Sequence, residues 1–346
     1  MHKNNFAVLR HLAALAVLAS HSVALTTGQE ATEIGMRLTN GQMTVGHLAV
    51  TVFFILSGYL ITLSWQRRPV LGAFAAARAG RLLPGLAASV LLCALVAGPL
   101  LTILPAADYA TSPETARFIG WNLSLLGFAG PLPGVFTTNP LVAVNGSLWT
   151  LHYEAACYAM VAGLGLLGLL RRWVVLALLA AALIATRLWW GGPLVEFGTC
   201  FVGGMAMALW RPPIRVWALL LCAVVLVGMA MTGGFRLACA TAGAYVVVAA
   251  ALARPWSPIG GNGSDYSYGV YLWAFPVQQL IVSWGVAHWA VNIAISLPVV
   301  LACAWLSWQG IEGPVLRWQR TRRPVAAPAW GTNTTGQLIH QQLDRR

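Results

Sequence analysis

Arg10 and His21 are the residues of the first apolar segment, Phe6 to about Leu25, whose types and spacing could do chemistry. An α-helix turns ~100° per residue, so these two residues, eleven apart, lie on one face with ~16 Å between them along the axis. Ionisable groups within a membrane span are costly to bury and usually face the protein interior or a water-filled cavity. Because histidine titrates near neutral pH, the pattern predicts a site where His21 transfers a proton.

Both residues also have a non-catalytic interpretation. A histidine near a helix end can lie at the level of the lipid headgroups, and Arg10 can extend to the cytoplasmic surface as an ordinary topology signal. The first segment alone leaves these alternatives open.

Glu154 lies about two turns into a later apolar segment, at the depth predicted for His21. A carboxylate at that depth needs a partner, and an imidazole is the natural one. We therefore predict that Glu154 orients His21 or stabilises its imidazolium, as the third member of a base assembly. His152 is the weaker candidate, because on a helix it points ~200° away from Glu154.

Arg78 and Arg81 are three residues apart at an inner membrane boundary, so on a helix they point the same way. Guanidinium groups match phosphate oxygens in pairs, and two on one face could clamp a phosphorylated ligand. The alternative is that both contact lipid headgroups as topology signals.

The composition indicates the elements that must position these groups. The chain has 346 residues, of which 58% are hydrophobic and 9% charged, and these values predict an all-α, polytopic membrane protein. Ten spans can be placed, at residues 6–26, 44–65, 82–104, 147–170, 173–190, 194–210, 214–231, 235–253, 266–287 and 290–308.

The net charge of +12 follows the predicted topology. With the amino terminus inside, seventeen of the 21 Lys and Arg residues fall on the inner side. This bias predicts that both termini are cytoplasmic, and it argues against a nucleic-acid surface.

The six cysteines lie in or at the ends of apolar spans and have no CxxC spacing. We interpret them as small buried hydrophobic residues, and we predict no disulfide and no metal site.

Other polar and small residues give predictions about packing and pairing. Ser57 and Gly58, in the middle of a span, favour close helix approach. Asp265 and Glu312 fall at the inner surface, where arginines could pair with them, whereas Glu196 lies near a helix end and is predicted to be solvated.

Six stretches in order along the chain resemble the membrane acyltransferase-3 family. They are residues 10–21 (arginine and histidine eleven apart), 53–61 (FFxLSGYLI), 78–84 (RxxRLxP), 147–154 (SLWxLxxE), 266–273 (SYxxYLW) and 311–314 (a closing ExP). One departure is Ala274, which stands where many members have histidine.

The resemblance implies an enzyme of the bacterial inner membrane that transfers an acyl group from acyl-CoA, most often acetyl-CoA, to a hydroxyl of a glycan or lipid-linked sugar. It implies His21 as general base with Glu154, and no metal. The donor is expected to bind Arg10, Arg78 and Arg81. By motif, the substrate is expected to meet Ser57, Tyr59 and Trp149.

The resemblance covers residues 6–316, so we predict a membrane acyltransferase domain over 1–316 and a basic, disordered cytoplasmic tail over 317–346. The main alternative is a transporter or flippase, which would predict inverted repeats, and none is found. A structural or sensing membrane subunit is the third interpretation.

Overall fold

The computed structural model describes residues 4–188, 192–254 and 265–321, and every regular element in these ranges is helical. This confirms the predicted all-α class. Of the predicted tail, residues 322–346 lie outside the described part of the chain. The helices are α1 (Phe6–Thr27), α2 (Ile34–Leu38), α3 (Val45–Arg67), α4 (Leu71–Leu101), α5 (Ala106–Thr111), α6 (Pro113–Ser124), α7 (Leu151–Leu166), α8 (Arg172–Arg187), α9 (Gly192–Trp210), α10 (Val216–Thr232), α11 (Phe235–Leu252), α12 (Ser267–Ser283) and α13 (Trp289–Gln319).

Within the described ranges, six helices are long and apolar enough to cross a membrane: α1, α3, α4, α9, α11 and α13. The other four predicted spans coincide with α7, α8, α10 and α12, which have 16 or 17 residues. Helices of that length extend ~25 Å, less than the ~30 Å of a bilayer core. The multi-pass architecture is therefore confirmed, and the count of ten spans is not.

Two helices extend beyond the spans predicted for them, because charged residues do not end the helices concerned. α4 begins at Leu71, eleven residues before the predicted start, and includes Arg78 and Arg81. α13 continues beyond 308 through a π-helical turn at Trp308–Glu312. In both places the charged groups have partners inside the protein, so the helix can carry them.

α1 packs between α3 on one side and α12 and α13 on the other, and α3 packs along α9. The approach of α3 to α9 depends on glycine: a Cβ at Gly58 would lie 2.0 Å from the carbonyl oxygen of Phe201, and one at Gly204 would lie 2.1 Å from that of Ile55. The predicted role of Gly58 in close helix approach is confirmed.

Replacing Gly58 by alanine is expected to destabilise the protein by about 3 kcal/mol, because the added methyl group meets backbone that cannot rotate away. Gly163→Ala is the matched control, since a Cβ at this helical glycine meets no atom within 4 Å. Thermal unfolding of the detergent-purified variants measures both. Equal melting temperatures for wild type and Gly58→Ala would contradict the close contact.

All six cysteines have free thiols. Four are buried and two, Cys222 and Cys303, are partly buried.

Candidate functional site

A cavity of about 400 Å³ lies at the carboxyl-terminal end of α1, which is the outer end in the predicted topology, and His21 is in its wall. We call it the outer cavity. Its lining comes from α1, the segment between α1 and α3, the start of α3, a 3-10 turn before α7 (Gly146–Thr150), and α12. The lining residues are Ser20, His21, Ala24, Glu30, Glu33, Thr44, Gly46, His47, Val50, Trp149 and Tyr271.

His21 is held against an aromatic side chain at the edge of this cavity. Its ring meets that of Phe275 edge-on, with the centroids 5.1 Å apart. The Nδ1 atom is buried and has no hydrogen-bond partner in the described part of the chain. His21 therefore faces the outer cavity without a carboxylate bound to its ring.

The predicted contact between Glu154 and His21 is wrong. Glu154 accepts hydrogen bonds from Ser57 Oγ, at 3.3 Å, and from the hydroxyl of Tyr158. The physical reason is local: residues Gly146–Thr150 form a 3-10 helix, which rises ~2.0 Å per residue where an α-helix rises ~1.5 Å. Glu154 consequently lies deeper than an α-helix from residue 147 would place it, and on another face.

At the amino-terminal end of α1, the inner end in the predicted topology, two arginines share one carboxylate. Asp265 Oδ2 lies 3.1 Å from Arg10 Nη1 and 2.9 Å from Arg81 Nη2. Arg81 Nη1 is also 3.9 Å from Glu312, so the predicted pairing of both acids with inner arginines is confirmed. Arg10 therefore forms an ion pair within the protein, in addition to being one of the basic residues on the predicted inner side.

Arg78 lies on the same helix as Arg81 and packs on aromatic rings. Its guanidinium carbon is 5.9 Å from the ring centroids of both Phe74 and Tyr158. We call Arg10, Arg78 and Arg81, with Asp265, the inner arginine cluster.

Burial alone would raise the pKa of Asp265, but Arg10 and Arg81, with a hydrogen bond from Ser267, hold that pKa well below its usual range. Ionised Asp265 therefore stabilises the fold fully above pH ~4, the pKa of a free aspartate, and its contribution declines as the pH falls further.

Asp265→Asn is expected to lower the melting temperature at pH 7, because it leaves two partly buried guanidiniums without their shared carboxylate. The difference in melting temperature between wild type and Asp265→Asn should become smaller as the pH falls from ~5 to ~3. Asp108→Asn, at an exposed position of α5, is the control and should not change this pH dependence. A difference in melting temperature that stays constant over this pH range would contradict the stabilising role of ionised Asp265.

Of the three residues predicted by motif to meet the substrate, one lies at the outer cavity and two do not. Trp149 lines the outer cavity. Ser57 donates to Glu154, and Tyr59 is buried with its ring stacked on Phe6, so neither contributes to the cavity wall. Tyr271, which belongs to the SYxxYLW stretch but was not singled out, does line it; its hydroxyl donates to the carbonyl oxygen of Ser147 at 2.7 Å.

The prediction that Glu196 is solvated is wrong. Its side chain is 2% exposed and binds His47 Nε2 at 2.8 Å and Arg236 Nη1 at 3.0 Å. No motif or spacing links these three residues, which come from α3, α9 and α11. The signal available in the sequence was that each lies near the outer end of its own apolar segment.

The 3-10 helix Gly146–Thr150 and the first turns of α7 connect the outer cavity to the inner arginine cluster. Trp149 lies at the cavity, Glu154 follows, and Tyr158 reaches the ring contact with Arg78. Trp149 and Tyr158 are nine residues apart, or ~14 Å along a helix. Within the described residues, no group of three or more His, Cys, Asp or Glu side chains could hold a metal ion.

Comparison with known proteins identifies relatives of the whole chain. The acyltransferase-3 family model, described as an acyltransferase domain, matches residues 4–309. An O-acetyl transferase of Shigella phage Sf6 is 29% identical over an alignment of 331 positions that covers 90% of this chain and 96% of that protein. Nodulation protein 10 of Rhizobium leguminosarum bv. viciae is 27% identical over an alignment of 364 positions, gaps included, that covers 91% of this chain and 94% of that protein. No solved structure matches the chain significantly.

The family match extends from the start of α1 into α13, and so includes the helices that form both the outer cavity and the inner arginine cluster. The relatives also match over nearly their full lengths. The chain therefore belongs to the acyltransferase-3 family and is a multi-pass membrane O-acyltransferase.

Proposed function

We propose that this enzyme transfers an acetyl group, or another acyl group, from acyl-CoA to a hydroxyl of a glycan or lipid-linked sugar, with His21 as general base. The observation that carries the proposal is the pairing of two sites on one helix: His21 in the outer cavity and Arg10 in the inner arginine cluster, ~16 Å apart along α1. Each site suits one of the two substrates.

The inner arginine cluster would bind the donor. Arg10, Arg78 and Arg81 offer planar forks of N–H donors at the inner ends of α1 and α4, the geometry that recognises phosphate oxygens. Asp265 would orient Arg10 and Arg81 before the donor arrives. The pantetheine arm of CoA, roughly half a membrane span long, would then carry the thioester toward His21.

His21 would activate the acceptor in the outer cavity. As its imidazole takes the proton of the acceptor hydroxyl, the oxygen attacks the thioester carbonyl carbon. The carbon–sulfur bond then breaks, the ester forms, and the imidazolium returns its proton to the CoA thiolate. Binding both substrates in one protein supplies the proximity that this direct transfer needs.

Glu154 would act between the two sites through its hydrogen bonds, without touching His21. By accepting from Ser57 and Tyr158 it would link α3 to α7 and keep the Tyr158 ring beside Arg78. Ser57 would belong to this link, and Tyr59, stacked on Phe6, would support α3 against α1. Trp149 is the motif residue that would meet the acceptor.

The lining of the outer cavity supports a sugar as acceptor. Ser20, Thr44 and two glutamates offer hydrogen-bonding groups for several hydroxyls, and the indole of Trp149 offers an apolar face. The excess of basic residues on one side supports an orientation with both termini in the cytoplasm of a bacterial inner membrane. In that orientation acyl-CoA reaches the arginines from inside, and the acceptor meets His21 on the outer side.

Transfer of radiolabel from acetyl-CoA to glycans tests this proposal. Membranes containing the protein are incubated with labelled acetyl-CoA, glycans are extracted, and incorporation is compared with membranes of the same host lacking the protein. Alkali-labile label on a glycan is the expected result. Movement of label across the membrane without ester formation would instead favour the transporter alternative.

A further inference from the structure

A second histidine, His47, faces the same outer cavity as His21. It lies in the first turn of α3, where the side chain of Thr44 caps the helix by accepting from the His47 backbone N–H at 3.0 Å. His47 belongs to none of the motifs that carry the family resemblance.

The His47 ring is fixed on two sides. Its Nε2 lies 2.8 Å from Glu196 Oε1, and the ring stacks on Phe197, with centroids 4.7 Å apart and planes 26° apart. The side chain nevertheless remains 22% exposed, because it lines the cavity. A carboxylate on one ring nitrogen fixes an imidazole in orientation and tautomer.

Glu196 is itself fixed as a hydrogen-bond acceptor. Its second oxygen, Oε2, accepts a hydrogen bond from Arg236 Nη1 at 3.0 Å. Arg236 also donates to the carbonyl oxygen of Gln42. The Gln42 side chain in turn accepts from the backbone N–H of Phe235, the residue before Arg236. The side chain of Glu196 is only 2% exposed, so solvent competes little with these hydrogen bonds and they fix the orientation of the carboxylate.

The proton of His47 can be assigned from these contacts. An ionised carboxylate paired with arginine only accepts hydrogen bonds, so the nitrogen facing Glu196, Nε2, carries the hydrogen. In the neutral ring this leaves Nδ1 with a lone pair. In that neutral form Nδ1 can accept a hydrogen bond, and a hydroxyl in the cavity that the ring lines can donate one.

We propose that His47 binds a second hydroxyl of the acceptor through Nδ1, while Glu196 and Arg236 are positioning residues that hold its ring. The inference rests on the proposed function and narrows the acceptor to a compound with two hydroxyls close together, as on a sugar ring. A simple alcohol would satisfy His21 alone.

The matched variants His47→Gln and His47→Asn separate binding from structural support. The glutamine amide can still donate to Glu196 but leaves no acceptor at the position of Nδ1. The asparagine side chain keeps an acceptor near Nδ1 but is too short to serve Glu196. His288→Gln is the control, because His288 caps α13 and does not line the cavity.

The experiment measures acetyl transfer from labelled acetyl-CoA to membrane-extracted glycans with each purified variant. The glycan concentration, expressed as hexose equivalents, is varied to give an apparent KM. His47→Gln is expected to raise the apparent KM for the glycan roughly tenfold, the effect of one lost hydrogen bond, with kcat within about twofold of wild type. Its affinity for acetyl-CoA and its melting temperature should match wild type. His47→Asn should show a smaller rise in KM and a lower melting temperature, and His288→Gln should show no rise in KM.

Two results would overturn the inference in different ways. If wild type labels glycans and His47→Gln has an unchanged KM for the glycan, His47 supports only the structure. If wild type binds acetyl-CoA but labels no glycan at any concentration, the proposed function fails and the inference fails with it.

Discussion

Replacing His21 by alanine is expected to lower kcat for acetyl transfer by about 10³-fold while leaving the affinity for acetyl-CoA unchanged. The loss is large because a positioned general base contributes to the transition state and not to donor binding. Donor affinity should persist because the proposed phosphate site lies ~16 Å away, at Arg10 and its neighbours on the inner side.

The measurement compares purified wild type and His21→Ala in two assays: transfer of label to extracted glycans, and equilibrium binding of acetyl-CoA. His11→Gln is the matched control, since His11 is on the same helix but bonds the carbonyl oxygen of Ala7 and does not line the outer cavity. It should retain wild-type transfer. Equal transfer by wild type and His21→Ala would remove His21 from the mechanism.

His21→Asn separates the role of the base from that of cavity shape. Asparagine keeps a polar group of similar width near Nδ1 but cannot accept a proton at neutral pH. If His21 served only to fill the space beside Phe275, asparagine would restore most of the activity. We expect it to be as inactive as alanine.

The positions of some residues in the fold could be predicted from the sequence wherever local geometry decides them. Arg10 and His21 lie on one face of α1 because helical periodicity depends only on the backbone, and the structure brings Arg10 to Asp265 and His21 to the outer cavity. Gly58 was predicted for the same kind of reason, because a missing Cβ in the middle of a span has one common use.

Partners from distant parts of the chain could not be predicted in this way. Glu154 was assigned to His21 by depth alone, but the 3-10 turn before α7 shifts its depth and face, and Ser57 and Tyr158 bind it instead. Glu196 was judged by its distance from a helix end. Its burial depends on His47 and Arg236, which only the packing of α3, α9 and α11 brings near.

Replacing Arg78 by glutamine is expected to weaken binding of acetyl-CoA by about 10- to 100-fold, because a charge-assisted hydrogen bond to phosphate contributes about 1.5–3 kcal/mol. Substitution of Arg78 tests binding of acetyl-CoA more directly than substitution of Arg81. Removing Arg81 would also leave Asp265 and Glu312 without a shared cation and could disturb the fold. Arg78 packs on Phe74 and Tyr158, and glutamine keeps part of the apolar stem that covers those rings.

The binding experiment compares acetyl-CoA with acetyl-dephospho-CoA, which lacks the 3′-phosphate. If Arg78 contacts that phosphate, wild type and Arg78→Gln should bind the dephospho analogue equally; if it contacts the diphosphate, Arg78→Gln should be weaker with both ligands. Arg171→Gln is the control for general positive charge, because Arg171 lies on the same predicted membrane side at the start of α8 and bonds the carbonyl oxygen of Gly168. Arg78→Gln with the wild-type affinity for both ligands would place the donor phosphates elsewhere, since a lipid-headgroup contact would leave acetyl-CoA binding unchanged.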